Sequence, residues 1–162
     1  MPIIELTTII DADINICFDL ARSIDLHSIS TKKTKEQAIA GVTTGLIGFN
    51  ETVTWQATHF GVRQKLTSRI TAYERPFHFR DEQVKGAFDY IKHDHLFRTY
   101  NNTTIMTDRF DFGSPLGILG NIFNRLVLTT YLKKFLEKRN QVIKEYAENG
   151  TWKTLLRENI IS

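Results

Sequence analysis

Tyr90-Ile-Lys-His-Asp-His-Leu-Phe-Arg98, followed after a turn by Thr103-Thr-Ile-Met-Thr-Asp-Arg-Phe-Asp-Phe112, is the stretch whose reading decides the fold. Its apolar residues recur with a period of two, the signature of strands, and Asn101-Asn102 between the halves is a hairpin signal. In one phase lie Ile91, His93, His95 and Phe97, then Thr104, Met106, Asp108, Phe110 and Phe112. A solid sandwich core would hold apolar residues at all of these positions. Two histidines and an aspartate in the inward phase point instead to a sheet that wraps a pocket.

The alternation extends upstream. Strands are expected over residues 51–60, 62–73, 77–85, 87–98 and 103–112, separated by Gly61, Arg75-Pro76, Gly86 and the two asparagines. Val53, Trp55, Ala57 and His59 share a face of the first, while Phe77, Phe79, Asp81 and Gln83 share a face of the third. Strands joined this tightly are antiparallel neighbours. Ile3–Ile10, rich in β-branched residues, reads as an earlier strand. Asp13 offers a cap to a helix whose buried face is Ile14, Cys17, Phe18 and Ala21. Residues 23–40 read as one or two further helical turns. Gly41-Val-Thr-Thr-Gly-Leu-Ile-Gly48 lacks the Gly-Lys-Ser/Thr of a phosphate-binding loop and reads as a mobile loop at the mouth of a pocket.

After Gly113 the period becomes helical. Leu128, Leu132, Leu136, Arg139 and Ile143 form one stripe, widened by Phe135, Val142 and Tyr146, in a helix expected over 116–148 with Gly120 near its start. Asn149-Gly150 stops it. Arg139 lies on the apolar stripe, where it either reaches an inward carboxylate such as Asp81 or extends to solvent. The expected fold is α+β: a curved antiparallel sheet of six or seven strands wrapped around a long C-terminal helix, with two short helices after the first strand. Residues 1–150 form one domain and 151–162 a tail. Trp152, Leu155, Leu156 and Ile160-Ile161 make that tail apolar enough to dock on its own domain or on a second copy in a homodimer.

The composition sets outer limits. The chain has 162 residues, 41% of them hydrophobic and 24% charged, with a net charge of +3. That suits one soluble domain and is too weakly basic to argue for nucleic acid. Cys17 is the single cysteine, so no internal disulfide forms. The N-terminus does not read as a signal peptide, and no run of about 18 apolar residues exists for a membrane span. A cytoplasmic location is expected.

The order of elements resembles the helix-grip fold of the SRPBCC superfamily, which includes START lipid-transfer domains, pollen-allergen-like proteins and polyketide cyclases. Within it the chain is similar to bacterial stand-alone domains labelled polyketide cyclase/dehydrase-like. The resemblance is carried by Gly41 to Gly48, Thr52-Val-Thr-Trp55, His59-Phe-Gly61, Glu74-Arg-Pro76 and Phe79-Arg-Asp-Glu-Gln83. It continues through Gly86-Ala-Phe88, His93-Asp-His95, Met106-Thr-Asp108, Ser114-Pro-Leu-Gly117 and Leu136-Glu-Lys-Arg-Asn140. It implies a deep pocket for a hydrophobic or amphipathic ligand and carries over no catalytic residues.

Parity selects Trp55, Phe79, Phe97, Met106 and Phe110 as apolar pocket residues, with Asp81, Gln83, His93, His95 and Asp108 as the polar ones. Phe88, Tyr90 and Phe123 are read as core aromatics. His93 and His95 with Asp81 or Asp108 would also suit acid–base chemistry of the cyclase or dehydratase type. The preferred reading of that group is a polar network that orients a ligand, so enzyme activity is the second choice. The His93-x-His95 spacing is one that metal sites use, with Asp81, Asp108 or Glu51 able to complete a shell, but no metal or cofactor is assigned. A third reading is a protein-interaction module using the basic strand face of Arg63, Lys65 and Arg69, or the tail.

Overall fold

The structure is a computed structural model and describes residues 2–114 and 127–157. The chain begins with strand β1 (Ile3–Ile10), helices α1 (Ile14–Ala21) and α2 (Ile24–Ser30), and a 3-10 turn at Lys32–Thr34. Six strands follow: β2 (Gln37–Gly41), β3 (Thr52–His59), β4 (Val62–Glu74), β5 (His78–Lys85), β6 (Tyr90–Tyr100) and β7 (Thr103–Gly113). Helix α3 (Thr129–Glu148) and the short α4 (Trp152–Arg157) complete it. The strands form one antiparallel sheet in the order β1-β7-β6-β5-β4-β3-β2. Register shifts in the β2–β3 and β4–β5 pairs add the local bend and twist that a sheet needs to curl around a helix.

Local chemistry explains the elements. Asp13 caps α1 by accepting from the Asn15 amide at 2.8 Å, and Ser23 caps α2 by accepting from Leu26 at 3.2 Å. Such caps stabilise a helix by about 1 kcal/mol each. Helix α3 ends at Asn149, and Gly150 takes the left-handed conformation at φ +80°. Its inner face buries Leu136, Arg139, Val142 and Ile143. Phe18 of α1 is fully buried and meets Tyr73, Phe79 and Phe97 edge-on at 5.3–5.5 Å between ring centres.

Two expectations change. The helical turns expected over 23–40 stop at Thr34, and Gln37–Gly41 is an edge strand paired with β3. It lies mostly exposed and so carries no apolar alternation to betray it. The glycine-rich loop is tied down: Asp25 accepts from the Gly45 amide and the Thr44 hydroxyl, and Glu51 accepts from the Gly48 amide. Ile47 from this loop is buried in the core. The expected start of the long helix, with Gly117, Gly120 and Phe123, lies outside the described residues. So do Ile160 and Ile161 of the tail. Of the tail, Trp152–Arg157 packs on its own chain as α4, with Leu156 buried.

Candidate functional site

A pocket of about 170 Å³ lies between the sheet and α3. Its walls are largely apolar: Ile47, Val53, Leu66, Ile70 and Ile91 face it, with Leu132 and Leu136 from α3. Six of the sequence-selected residues line it, namely Trp55, Phe79, Asp81, His93, His95 and Phe110. Four do not. Phe97 and Met106 pack in the core beside α1, where Met106 is fully buried. Gln83 closes the β5–β6 turn by donating to the Phe88 carbonyl at 2.7 Å. Asp108 is fully enclosed beneath the two histidines. Phe88, read as core, faces the pocket. Glu51 is exposed and occupied with Gly48, away from the histidines.

The pocket floor is built by register. β5 sets Asp81 opposite His93, β7 sets Asp108 opposite His95, and β6 places both imidazoles on one face. The rings lie 3.8 Å apart between centres, and Phe79 stacks on His95 at 4.1 Å. His93 Nε2 is 2.8 Å from Asp108 Oδ1, and His95 Nε2 is 2.9 Å from Asp81 Oδ2. Asn140 donates to Asp108 Oδ2 at 2.6 Å. Arg139 turns inward, with Nη1 3.4 Å from Asp108 Oδ1 and Nη2 donating to the Ala21 carbonyl at 2.9 Å. The carboxylate that Arg139 reaches is therefore Asp108, and a main-chain oxygen of α1 holds the other arm of the fork.

Electrostatics follow from burial and these partners. Burial raises the Asp108 carboxyl, but the hydrogen bond from His93 and the Arg139 charge outweigh it and hold it well below the usual range. Asp81 is also lowered: burial opposes, and the His95 hydrogen bond prevails. Burial pushes His93 down, reinforced by neighbouring His95, against the pull of Asp108 and Asp81. A neutral His93 that donates from Nε2 to Asp108 leaves its Nδ1 lone pair 3.7 Å from Asp81 Oδ2.

A second polar group sits elsewhere on the wall and was not legible as a cluster. His27 of α2 lies over Trp55 at 4.3 Å, with Nε2 3.3 Å from the buried Glu36. His59 Nδ1 shares a 2.7 Å hydrogen bond with the Tyr131 hydroxyl. Burial pushes His59 down and Tyr131 up, so both are neutral around pH 7. Eight residues separate Tyr131 from Arg139 on α3, about 12 Å at 1.5 Å per residue. His59 could have been found, because it continues the Val53, Trp55, Ala57 phase. Glu36 and His27 come from irregular or short elements with no periodic signal.

The arrangement defines a helix-grip container with a charged floor and an apolar wall. No family model matches the chain, and no curated protein matches it by sequence. Its fold is shared with solved structures of low identity. Protein TTHA0849 from Thermus thermophilus superposes with a TM-score of 0.69 at 15% identity, over 88% of this chain and 97% of that one. Ginseng major latex-like protein 151 from Panax ginseng gives 0.65 at 17% identity, over 90% and 97%. Protein Ms6760 from Mycobacterium smegmatis gives 0.64 at 14%, over 88% of each. Among the described residues no helix is long and apolar enough to cross a membrane.

Proposed function

We propose that this chain is a cytoplasmic helix-grip protein of the SRPBCC superfamily that binds one hydrophobic or amphipathic small molecule between its sheet and α3. The observation that carries this reading is the pocket itself, apolar on its walls and charged only at defined places. Apolar walls supply affinity, and a few convergent polar groups fix orientation. The volume of about 170 Å³ is below the roughly 300 Å³ at which drug-sized sites begin, so the ligand is compact. The fold shared with TTHA0849 and the ginseng major latex-like protein supports the container and leaves its contents to experiment.

A cyclase or dehydratase using the same floor is the second reading, favoured by the 2.9 Å His95–Asp81 pair on the pocket wall. Asp108 has no access to the pocket, so in that reading it positions His93 and does not touch substrate.

Native mass spectrometry of freshly purified protein, with displacement of a naphthalene-sulfonate probe by lipid and aromatic extracts, tests the binding reading. Trp55 emission, followed in a Trp152→Phe background, reports occupancy beside His27. A single saturable site with a co-purifying compound is expected. Protein that is only apo and shows no saturable probe binding refutes it.

A further inference from the structure

His95 is caught between two carboxylates. Its Nε2 lies 2.9 Å from Asp81 Oδ2, and its Nδ1 lies 3.2 Å from Asp108 Oδ1. The second contact lacks hydrogen-bond geometry, and Nδ1 is a buried atom with no hydrogen-bond partner among the described residues. A neutral imidazole has one N–H and one lone pair. Whichever nitrogen carries the proton, the other turns a lone pair toward a carboxylate oxygen. His93 repeats the problem on a smaller scale: Nε2 serves Asp108 at 2.8 Å, while Nδ1 lies 3.7 Å from Asp81 Oδ2.

We propose that Asp81, His93 and His95 form a binding site for a divalent transition-metal ion of the zinc type. The site would be open to the pocket. Asp81 Oδ2, His93 Nδ1 and His95 Nε2 supply the ligand atoms. One potential ligand atom from each of the three residues lies within 4.8 Å of the others. Bonds of about 2.0–2.1 Å in a tetrahedral site put ligand atoms about 3.3 Å apart, and the separations from Asp81 Oδ2, 2.9 and 3.7 Å, straddle that value.

An ion there takes up all three facing lone pairs. It fixes His95 with its proton on Nδ1, turned toward Asp108, and His93 with its proton on Nε2, already at Asp108. Asp108 then accepts from the metal-bound His93 from behind, the outer carboxylate that such histidines commonly use, and its charge stands 3.2 Å from His95 Nδ1. Asn140 and Arg139 hold that carboxylate in place. All three ligand residues line the pocket, so the remaining coordination positions face it and accept an oxygen donor, water or a ligand's carboxylate or hydroxyl. Imidazole with carboxylate suits zinc and its first-row neighbours better than calcium or magnesium.

The site goes beyond the binding reading above, and the two fail separately, because the probe displacement is repeated on chelator-treated protein. Metal-stripped protein is equilibrated with ZnCl2, desalted and assayed for bound metal, and Co2+ is added in parallel for its visible spectrum. The expected result is about one Zn2+ per chain and a Co2+ spectrum showing imidazole and carboxylate coordination. Asp81→Asn and His95→Gln should each weaken binding by more than the roughly 10–100-fold that loss of an outer-shell partner costs. His78→Ala, on the opposite face beside Asp94, should leave it unchanged. Circular dichroism confirms that the variants fold. Should one unfold, side-chain 15N signals of the wild-type histidines replace it, and Zn2+ must shift those of His93 and His95. Less than about a tenth of an equivalent overturns the proposal. So does full stoichiometry in both variants, or histidine signals unmoved by Zn2+.

Discussion

Arg139→Met tests whether the pocket floor depends on a buried guanidinium. Met keeps most of the apolar stem and deletes the fork. In the native protein that fork donates to the Ala21 carbonyl at 2.9 Å and to Asn140 Oδ1 at 3.1 Å, and lies 3.4 Å from Asp108. Arg139 is 5% exposed and Asp108 is fully buried, so water does not replace these contacts. An orphaned carbonyl costs about 1–3 kcal/mol. Breaking a buried ion pair costs about 3–5 kcal/mol. Asp108 keeps its hydrogen bonds from His93 and Asn140, so the low end of each applies, and the expected loss is about 4 kcal/mol in all. Folded domains are stable by about 5–15 kcal/mol, which makes this a large fraction. Urea unfolding at pH 7.5 in EDTA should show the midpoint falling by about 1–4 M at an ordinary slope. Arg139→Lys should recover little, since one ammonium cannot reach both the α1 carbonyl and the Asp108–Asn140 side. A cycle with Asp108→Asn should give a coupling of at least about 1 kcal/mol. A loss within about 0.5 kcal/mol of wild type, or additive single changes, would refute the reasoning.

Three further outcomes are expected. Gly41 has φ +73°, and a Cβ there would stand 2.2 Å from the Thr52 carbonyl oxygen, whereas Gly61 at φ +74° has open space. Gly41→Ala should therefore cost at least about 1 kcal/mol more than Gly61→Ala, beyond the left-handed strain of about 1–2 kcal/mol common to both; equal melting temperatures would contradict this. Burial pushes the Cys17 thiol up to about 11, leaving roughly one molecule in a thousand as thiolate at pH 8, so a disulfide reagent should label it within minutes only in concentrated urea. At Asp94 burial is opposed by hydrogen bonds from Arg80 and His78, which hold the carboxyl below its ordinary value. A lowered folded-state value stabilises the protein above the unfolded value near 3.9 and loses that contribution as pH falls through the folded one. Arg80 is about a third exposed, so Asp94→Asn should cost only about 1 kcal/mol at pH 7. The deficit should vanish in acid below the folded value, and a deficit independent of pH would count against the pairing.

The strands were legible because each of the five alternates against a face that must be covered, and a one-residue slip would expose the whole apolar set. β2 was not, because it pairs by backbone alone at the edge and buries almost nothing. Parity also names a face without saying which helix covers which part of it. Phe97 and Met106 share a phase with the histidines, yet that end of the sheet belongs to α1, whose Phe18 packs on Phe97. Asp108 shares the phase too, and Asn140 and Arg139 of α3 seal it from the pocket. Glu36 and His27 reach the wall from a turn and a short helix, whose geometry depends on tertiary packing and leaves no period to read.

Charge balance constrains what the pocket can hold. Asp81 and Asp108 bring two negative charges to the floor, and Arg139 returns one. Arg139 contacts Asp108, so the carboxylate charge it leaves unmatched falls on the Asp81 side. Asp81 is also the carboxylate that is about a quarter exposed, toward the pocket. An unmatched carboxylate in apolar surroundings is costly and draws a cation or strong donors to itself. On the proposed binding reading, a purely hydrocarbon ligand leaves that cost standing, whereas a ligand with a hydroxyl, amine or metal-binding oxygen at one end removes it. The preference is measurable. A hydrocarbon and its terminal alcohol or amine, matched in length, should differ in affinity in wild type by about 1.5–3 kcal/mol, the worth of a hydrogen bond to a charged group. In Asp81→Asn the gap should shrink to the ~1 kcal/mol of a neutral bond. Equal affinities in wild type would show that Asp81 is already satisfied and that the floor serves the fold alone.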